Sequence, residues 1–169
     1  MNRFDTISKR FWAGVIDGFV FIPLGIFEGW LYSERRAIAV YIAWLIFRLS
    51  SDWLYSVLLH GFFGQTLGKM ATGIKVLSVD ETPISFRRAF MRDIVLIVLD
   101  VAILIYAIYT LLIGVPENIF MDNWFTFVAL GWFVAEVVTA VTNPQRRAIH
   151  DYIADTVVVR LDRMRVASA

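Results

Sequence analysis

Four apolar stretches, residues 11–31, 37–60, 94–115 and 124–142, are each long enough to cross a bilayer, which takes about 20 residues of helix. No water inside a bilayer satisfies backbone N–H and C=O groups, so each stretch must bond internally as an α-helix. Composition agrees. The chain is 59% hydrophobic, with a mean hydropathy of +0.66, against about 45–50% apolar content for a soluble domain. The expected fold is an all-α membrane protein, a four-transmembrane-helix bundle in a single domain over residues 1–169. The first stretch is too long for the apolar part of a signal peptide and no small-residue cleavage pattern follows it. It is therefore expected to remain as a helix, kinked at Pro23.

The flanking Lys and Arg residues set the orientation. Arg3, Lys9 and Arg10 precede the first span, and Lys69, Lys75, Arg87, Arg88 and Arg92 lie in the 61–93 connection. Arg146, Arg147, Arg160, Arg163 and Arg165 follow the last span. Residues 116–123 carry Glu117 and Asp122 with no basic residue, and residues 33–36 are mixed. Both termini and the central connection are expected in the cytoplasm, making a multi-pass protein of the cell inner membrane. Trp30, Tyr32 and Trp124 then fall at the outer interface, where aromatic belts form.

Two cytoplasmic segments have strand character. Residues 73–79 and 155–161 are short and rich in β-branched side chains. A lone strand is unstable in water, so the two are expected to pair as a small two-stranded β element. Residues 85–93 read as an amphipathic helix leading into the third span. Phe4, Ile7 and Phe11 read as an interfacial lead-in to the first.

Several function classes are excluded or disfavoured. A net charge of +1 offers no bulk basic character for nucleic acid. The chain has no cysteine, hence no thiolate chemistry, and only His60 and His150 could serve as imidazole ligands. No metal, cofactor or enzymatic activity is expected.

The informative residues are charges inside apolar runs. Asp17, Asp52, Asp100 and Glu136 lie one per span at a similar distance from the cytoplasmic ends. Intramembrane ionisable groups usually face a bundle interior and serve function, so the four are expected to form a carboxylate belt for a monovalent cation or proton. Arg48 and Asp52 share a helix face at i,i+4 and are expected to pair. Gly14 and Gly18 form a GxxxG pair beside Asp17, which predicts that Asp17 points into a helix–helix contact. Gly131, Ala135 and Thr139 offer a comparable seam beside Glu136, so a homodimer or a partner membrane protein is expected. Arg10 is seven residues from Asp17, about 10.5 Å along the axis, and leans away from it. Each therefore needs its own partner.

Four blocks of the sequence are similar to one known family. Arg10-x-x-Ala13-x-x-Ile16-Asp17 at the first span is followed by GQTLGKMATGIKV (64–76), PISFRRAFMRD (83–93) and RRAIHDYIADTVVV (146–159). Together they resemble the RDD family, named for one arginine and two aspartates, with Asp151 as the second aspartate. The resemblance implies a small multi-span membrane protein, with ion–proton exchange suggested for some members. It implies signature roles for Arg10, Asp17 and Asp151. Asp155 departs from the pattern, where the family more often has a small residue.

The GQTLGK segment fails the spacing of a phosphate-binding loop. Gly64 and Gly68 are read instead as letting the chain turn at the membrane surface, with Gln65, Thr66 and Lys69 supplying hydrogen bonds. Asp151 is expected to pair with Arg10 or, as second choice, with Arg92. Two functions follow: cation or proton transport through the carboxylate cluster, or a non-catalytic membrane subunit or adaptor that scaffolds a partner protein. A lesser reading is recognition of anionic lipid by Lys69, Lys75, Arg87, Arg88 and Arg92.

Overall fold

The computed structural model describes residues 3–33, 37–113 and 119–161. The Glu117 reading and the tail arginines Arg163 and Arg165 lie outside them. Four long helices carry the apolar runs: α1 (Ile7–Ser33), α2 (Ile38–Phe63), α4 (Phe86–Ile113) and α5 (Ile119–Thr142). Each contains a window long and apolar enough to cross a membrane. Between α2 and α4 come a short helix α3 (Leu67–Thr72) and strand β1 (Ile74–Ser78). After α5 come α6 (Ile149–Ile153) and β2 (Thr156–Arg160).

Helix ends differ from the sequence expectation in an instructive way. The amphipathic 85–93 segment and the third span form one continuous helix, because nothing in Phe86–Ile113 breaks the backbone. Helix α2 runs past His60 to Phe63 and stops at Gly64, whose φ of 72° is left-handed, a conformation glycine adopts without a Cβ penalty. Helix α1 continues through Pro23.

The strands pair antiparallel, with Ile74 opposite Arg160 and Ser78 opposite Thr156. The outer edge of β1 is occupied by its own neighbours: Val76 N–H donates to the Gly64 carbonyl, and the Gln65 amide donates to the Ile74 carbonyl. One face of the sheet packs on the helices through Ile74, Val76 and Val158 with Ala13, Ile84 and Ala89. On the other face, Leu77, Val157 and Val159 receive Phe4. Phe4 is thus drawn onto the sheet rather than serving as a lead-in to the membrane. Asp155 takes φ 53° in the turn before β2, a region that a bulky side chain avoids and Gly, Asn or Asp tolerates. A small residue is the usual solution there, and aspartate is the next best.

The starts of α1 and α4, the ends of α2 and α5, and the sheet all meet at one end of the bundle, here called the base. The opposite end holds aromatic contacts such as the stacked Tyr32 and Tyr41 rings, 5.7 Å apart.

Candidate functional site

At the base, α6 and β2 present Asp151 and Thr156 to the bundle. Asp151 is wholly buried and holds two guanidinium groups. Arg10 Nη1 donates to Oδ2 at 2.7 Å, and Arg92 Nη1 donates to Oδ1 at 2.6 Å. The Ala148 amide and the Thr156 hydroxyl also donate to the carboxylate, at 3.0 and 3.2 Å. Burial alone would push this carboxyl up. The Arg92 charge, with Arg10 and the Ala148 amide adding to it, holds it well below the usual carboxylate range. Arg10 is positioned by Thr6, whose hydroxyl accepts from Nε at 3.1 Å. Arg147 closes the turn by donating to the Asp151 and Thr156 carbonyls. The two candidate partners of Asp151 are therefore both engaged, one on each carboxylate oxygen.

His150 links this clamp to Glu136. Arg92 Nη2 approaches His150 Nε2 at 2.8 Å. A guanidinium can only donate, so Nε2 accepts and the ring proton sits on Nδ1. Nδ1 lies 2.6 Å from Glu136 Oε2, a close polar contact without the alignment of a hydrogen bond. The His150 amide donates to Glu136 Oε1 at 3.0 Å.

Asp17 is served by the 64–69 segment. The Thr66 hydroxyl donates to Oδ2 at 2.6 Å, and the Gly68 amide donates to Oδ1 at 2.7 Å. Tyr55 donates to Oδ1 at 2.7 Å and accepts from the Leu67 amide. Thr66 is also the N-cap of α3. The carboxylate thus satisfies an orphan amide of the first turn of α3 and fixes that helix against α1. The fit depends on Gly68, because a Cβ there would lie 2.0 Å from the Ala13 carbonyl oxygen. The helix–helix seam expected at Gly14 and Gly18 is not what Asp17 faces: a Cβ at either glycine meets nothing within 4 Å. Gly131 is equally open.

Lys69, next in α3, turns inward to His60. The Ser56 carbonyl, 2.8 Å from His60 Nδ1, can only accept, so Nε2 is the lone pair that receives the Lys69 ammonium at 2.7 Å. Burial, then the charge of Arg92, pushes the Lys69 pKa down to about 7. An unfolded lysine titrates near ~10.4. Between about pH 7 and 10 the folded chain binds fewer protons than the unfolded chain, so stability rises with pH across that window. Lys69→Met should flatten this rise in detergent-phase thermal unfolding, and an unchanged slope would show that the amine is not desolvated. With Lys69 and Arg92 both directed inward, the basic rim read as a lipid site loses two of its members.

The remaining embedded charges lie apart from the base. Arg48 Nη1 donates to Asp52 Oδ2 at 2.8 Å, and Arg48 Nε stands 3.8 Å from Glu28 Oε2. Asp100 on α4 is within electrostatic reach of both Asp52 and Arg48. The belt of four carboxylates is therefore not one site. Asp17 is bound by α3, Glu136 by His150, and only Asp52 and Asp100 share surroundings. Equal depth along four helices fixes an axial level but not which way each side chain faces. Among the described residues, no three His, Asp or Glu groups are placed to hold a metal ion. Glu28, Tyr55, Thr6 and Thr156 had not been assigned to sites. Of these, Tyr55 could have been found at i+3 from Asp52, as a polar group one turn nearer the base on α2.

The sequence that builds this base, from Arg10 and Asp17 through GQTLGK to Asp151, matches the model of the RDD family over residues 5–155. The chain belongs to the RDD family. A relative, the uncharacterized membrane protein YteJ of Bacillus subtilis (strain 168), is 25% identical over 158 residues, covering 89% of this chain and 77% of that protein. No solved structure matches. In this RDD protein, the signature arginine and second aspartate meet each other, while the first aspartate belongs to the α3 turn.

Proposed function

We propose that this RDD protein moves a monovalent cation or proton across the membrane, through the Glu28–Arg48–Asp52–Asp100 cluster. One observation carries the reading: Arg48 of α2 is 2.8 Å from Asp52 and 3.8 Å from Glu28 of α1, so two carboxylates share one guanidinium inside the spans, with Asp100 of α4 in electrostatic reach. Uncompensated charge in a bilayer costs several kcal/mol, so the surplus calls for protons or a mobile cation. The base plays the opposite part: its charges are matched internally and act as a structural clamp. The basic flanks support a cytoplasmic base, and no enzymatic step is assigned to any residue.

Proteoliposomes carrying the purified chain should dissipate an imposed pH gradient when a monovalent cation is supplied on the other side, well above empty vesicles. No difference between the two would refute transport.

An adaptor role is the second reading, favoured by one face of α1. Gly14, Gly18, Gly25 and Gly29 all meet open space, and at 3.6 residues per turn they fall within a sector of about 60°. Such a face admits a closely packed second helix. Under this reading, purification in mild detergent recovers a membrane protein at fixed stoichiometry, and Gly18→Leu loses it.

A further inference from the structure

At the end of the bundle away from the base, residues of α1, α2, α4 and α5 line an open cavity of about 720 Å³. That volume is in the range that holds a drug-sized ligand, roughly 300–1,000 Å³. Tyr32 and Tyr41 form one stacked ring pair on its wall, and Tyr106 and Phe125, with centroids 5.8 Å apart, form another. Among the described residues, none that lines it is charged.

The charge cluster lies directly beneath. Tyr32 is four residues beyond Glu28, and Leu45 and Tyr41 are three and seven before Arg48. Ile103 and Ala107 are three and seven beyond Asp100. These spacings keep each lining residue on the face of the charged residue below it. Glu28 acts electrostatically on Tyr32, so the two layers adjoin. The cavity thus has aromatic walls, and the layer beneath it pairs Arg48 with Glu28 and Asp52, with Asp100 in electrostatic reach.

We propose that this chamber binds a lipophilic organic monocation, a bulky ammonium or phosphonium. Ring faces attract a cation held within about 6 Å, and the surplus carboxylate charge of the floor supplies the counter-ion. An anion of the same size is repelled by that floor. A lipid acyl chain gains the apolar wall but nothing from the charge. This inference rests on the same cluster as the transport reading and names the class of cation the cluster receives.

Tetraphenylphosphonium and tetraphenylborate are nearly identical in size and opposite in charge, which makes them the discriminating probes. With the full chain in nanodiscs and empty nanodiscs subtracted, tetraphenylphosphonium should bind saturably at one site per chain. Tetraphenylborate, measured in a separate titration, should show no saturable binding. Glu28→Gln with Asp100→Asn should weaken binding at least tenfold. Ala107→Trp, which fills the chamber and leaves the charges in place, should abolish it. Absence of saturable tetraphenylphosphonium binding, equal saturable binding of tetraphenylborate in its own titration, or wild-type affinity in either variant overturns the proposal. Saturable binding without cation flux would leave this site standing and remove the transport reading. Inorganic cation flux without tetraphenylphosphonium binding would do the reverse.

Discussion

Gly68→Ala should lose at least about 3 kcal/mol of stability, the upper part of the range for forcing atoms into a packed site. The added methyl would sit 2.0 Å from the Ala13 carbonyl oxygen and 2.9 Å from the Asp17 carboxyl carbon. Neither neighbour is a flexible side-chain tip: one is the backbone of α1 and the other is held by Tyr55, Thr66 and the Gly68 amide. Helix α3 must move away from α1, and the Gly68 amide then leaves Asp17. Gly14→Ala and Gly18→Ala are the matched controls. Both positions are open, and alanine in a helix interior gains about 0.5–1 kcal/mol over glycine. Thermal unfolding in detergent should therefore rank Gly68→Ala far below wild type and the other two at or above it. If Gly14→Ala were the damaging change, the tight contact of α1 would lie in the GxxxG seam after all.

Asp151→Asn should be comparably severe, at about 3–5 kcal/mol, the usual result of removing one partner from a buried ion pair. The substitution keeps the shape but leaves Arg10 and Arg92 facing each other across a neutral amide, with Arg92 only 3% exposed at its side chain. The sheet suffers with it, because Thr156 and the Ala148 turn are tied to the same carboxylate. The pH dependence has a definite sign. The folded carboxyl titrates well below its unfolded value, so its stabilisation is full above about pH 4. It is lost only as pH falls toward the folded value. Wild type should show no loss from this group between pH 8 and 5, and Asp151→Asn should be weaker by a constant amount across that interval.

Much of this could be read in the sequence, for physical reasons that differ by element. The four spans follow from a solvent that forbids unpaired backbone, and the β1–β2 pairing from the instability of a lone strand. Arg10 and Asp151 are far apart in sequence, yet Arg10 cannot reach Asp17, and the basic flanks put Arg10 and Asp151 on the same side of the membrane. The α3 turn was harder. The Gly68 amide that binds Asp17 belongs to the backbone and has no residue-type signature. The carboxylate belt misled because axial depth says nothing of azimuth: Asp17 and Asp100 start equally deep, but one meets α3 and the other meets Arg48. The inward turn of Lys69 was hidden for a related reason, since basic residues near a membrane surface ordinarily face water and headgroups.

The division of labour among the four embedded carboxylates can be tested in one set of variants. Asp17→Asn, Glu136→Gln, Asp52→Asn and Asp100→Asn would each be measured for unfolding in detergent and for cation-driven proton flux in proteoliposomes. Asp17→Asn should lose about 1.5–3 kcal/mol, the worth of hydrogen bonds to a charged group, with Glu136→Gln also destabilised. Asp52→Asn and Asp100→Asn should keep wild-type unfolding and lose most of the flux. Equal flux in all four variants, or a stability loss shared evenly among them, would contradict the separation of a structural base from a cation site within the spans.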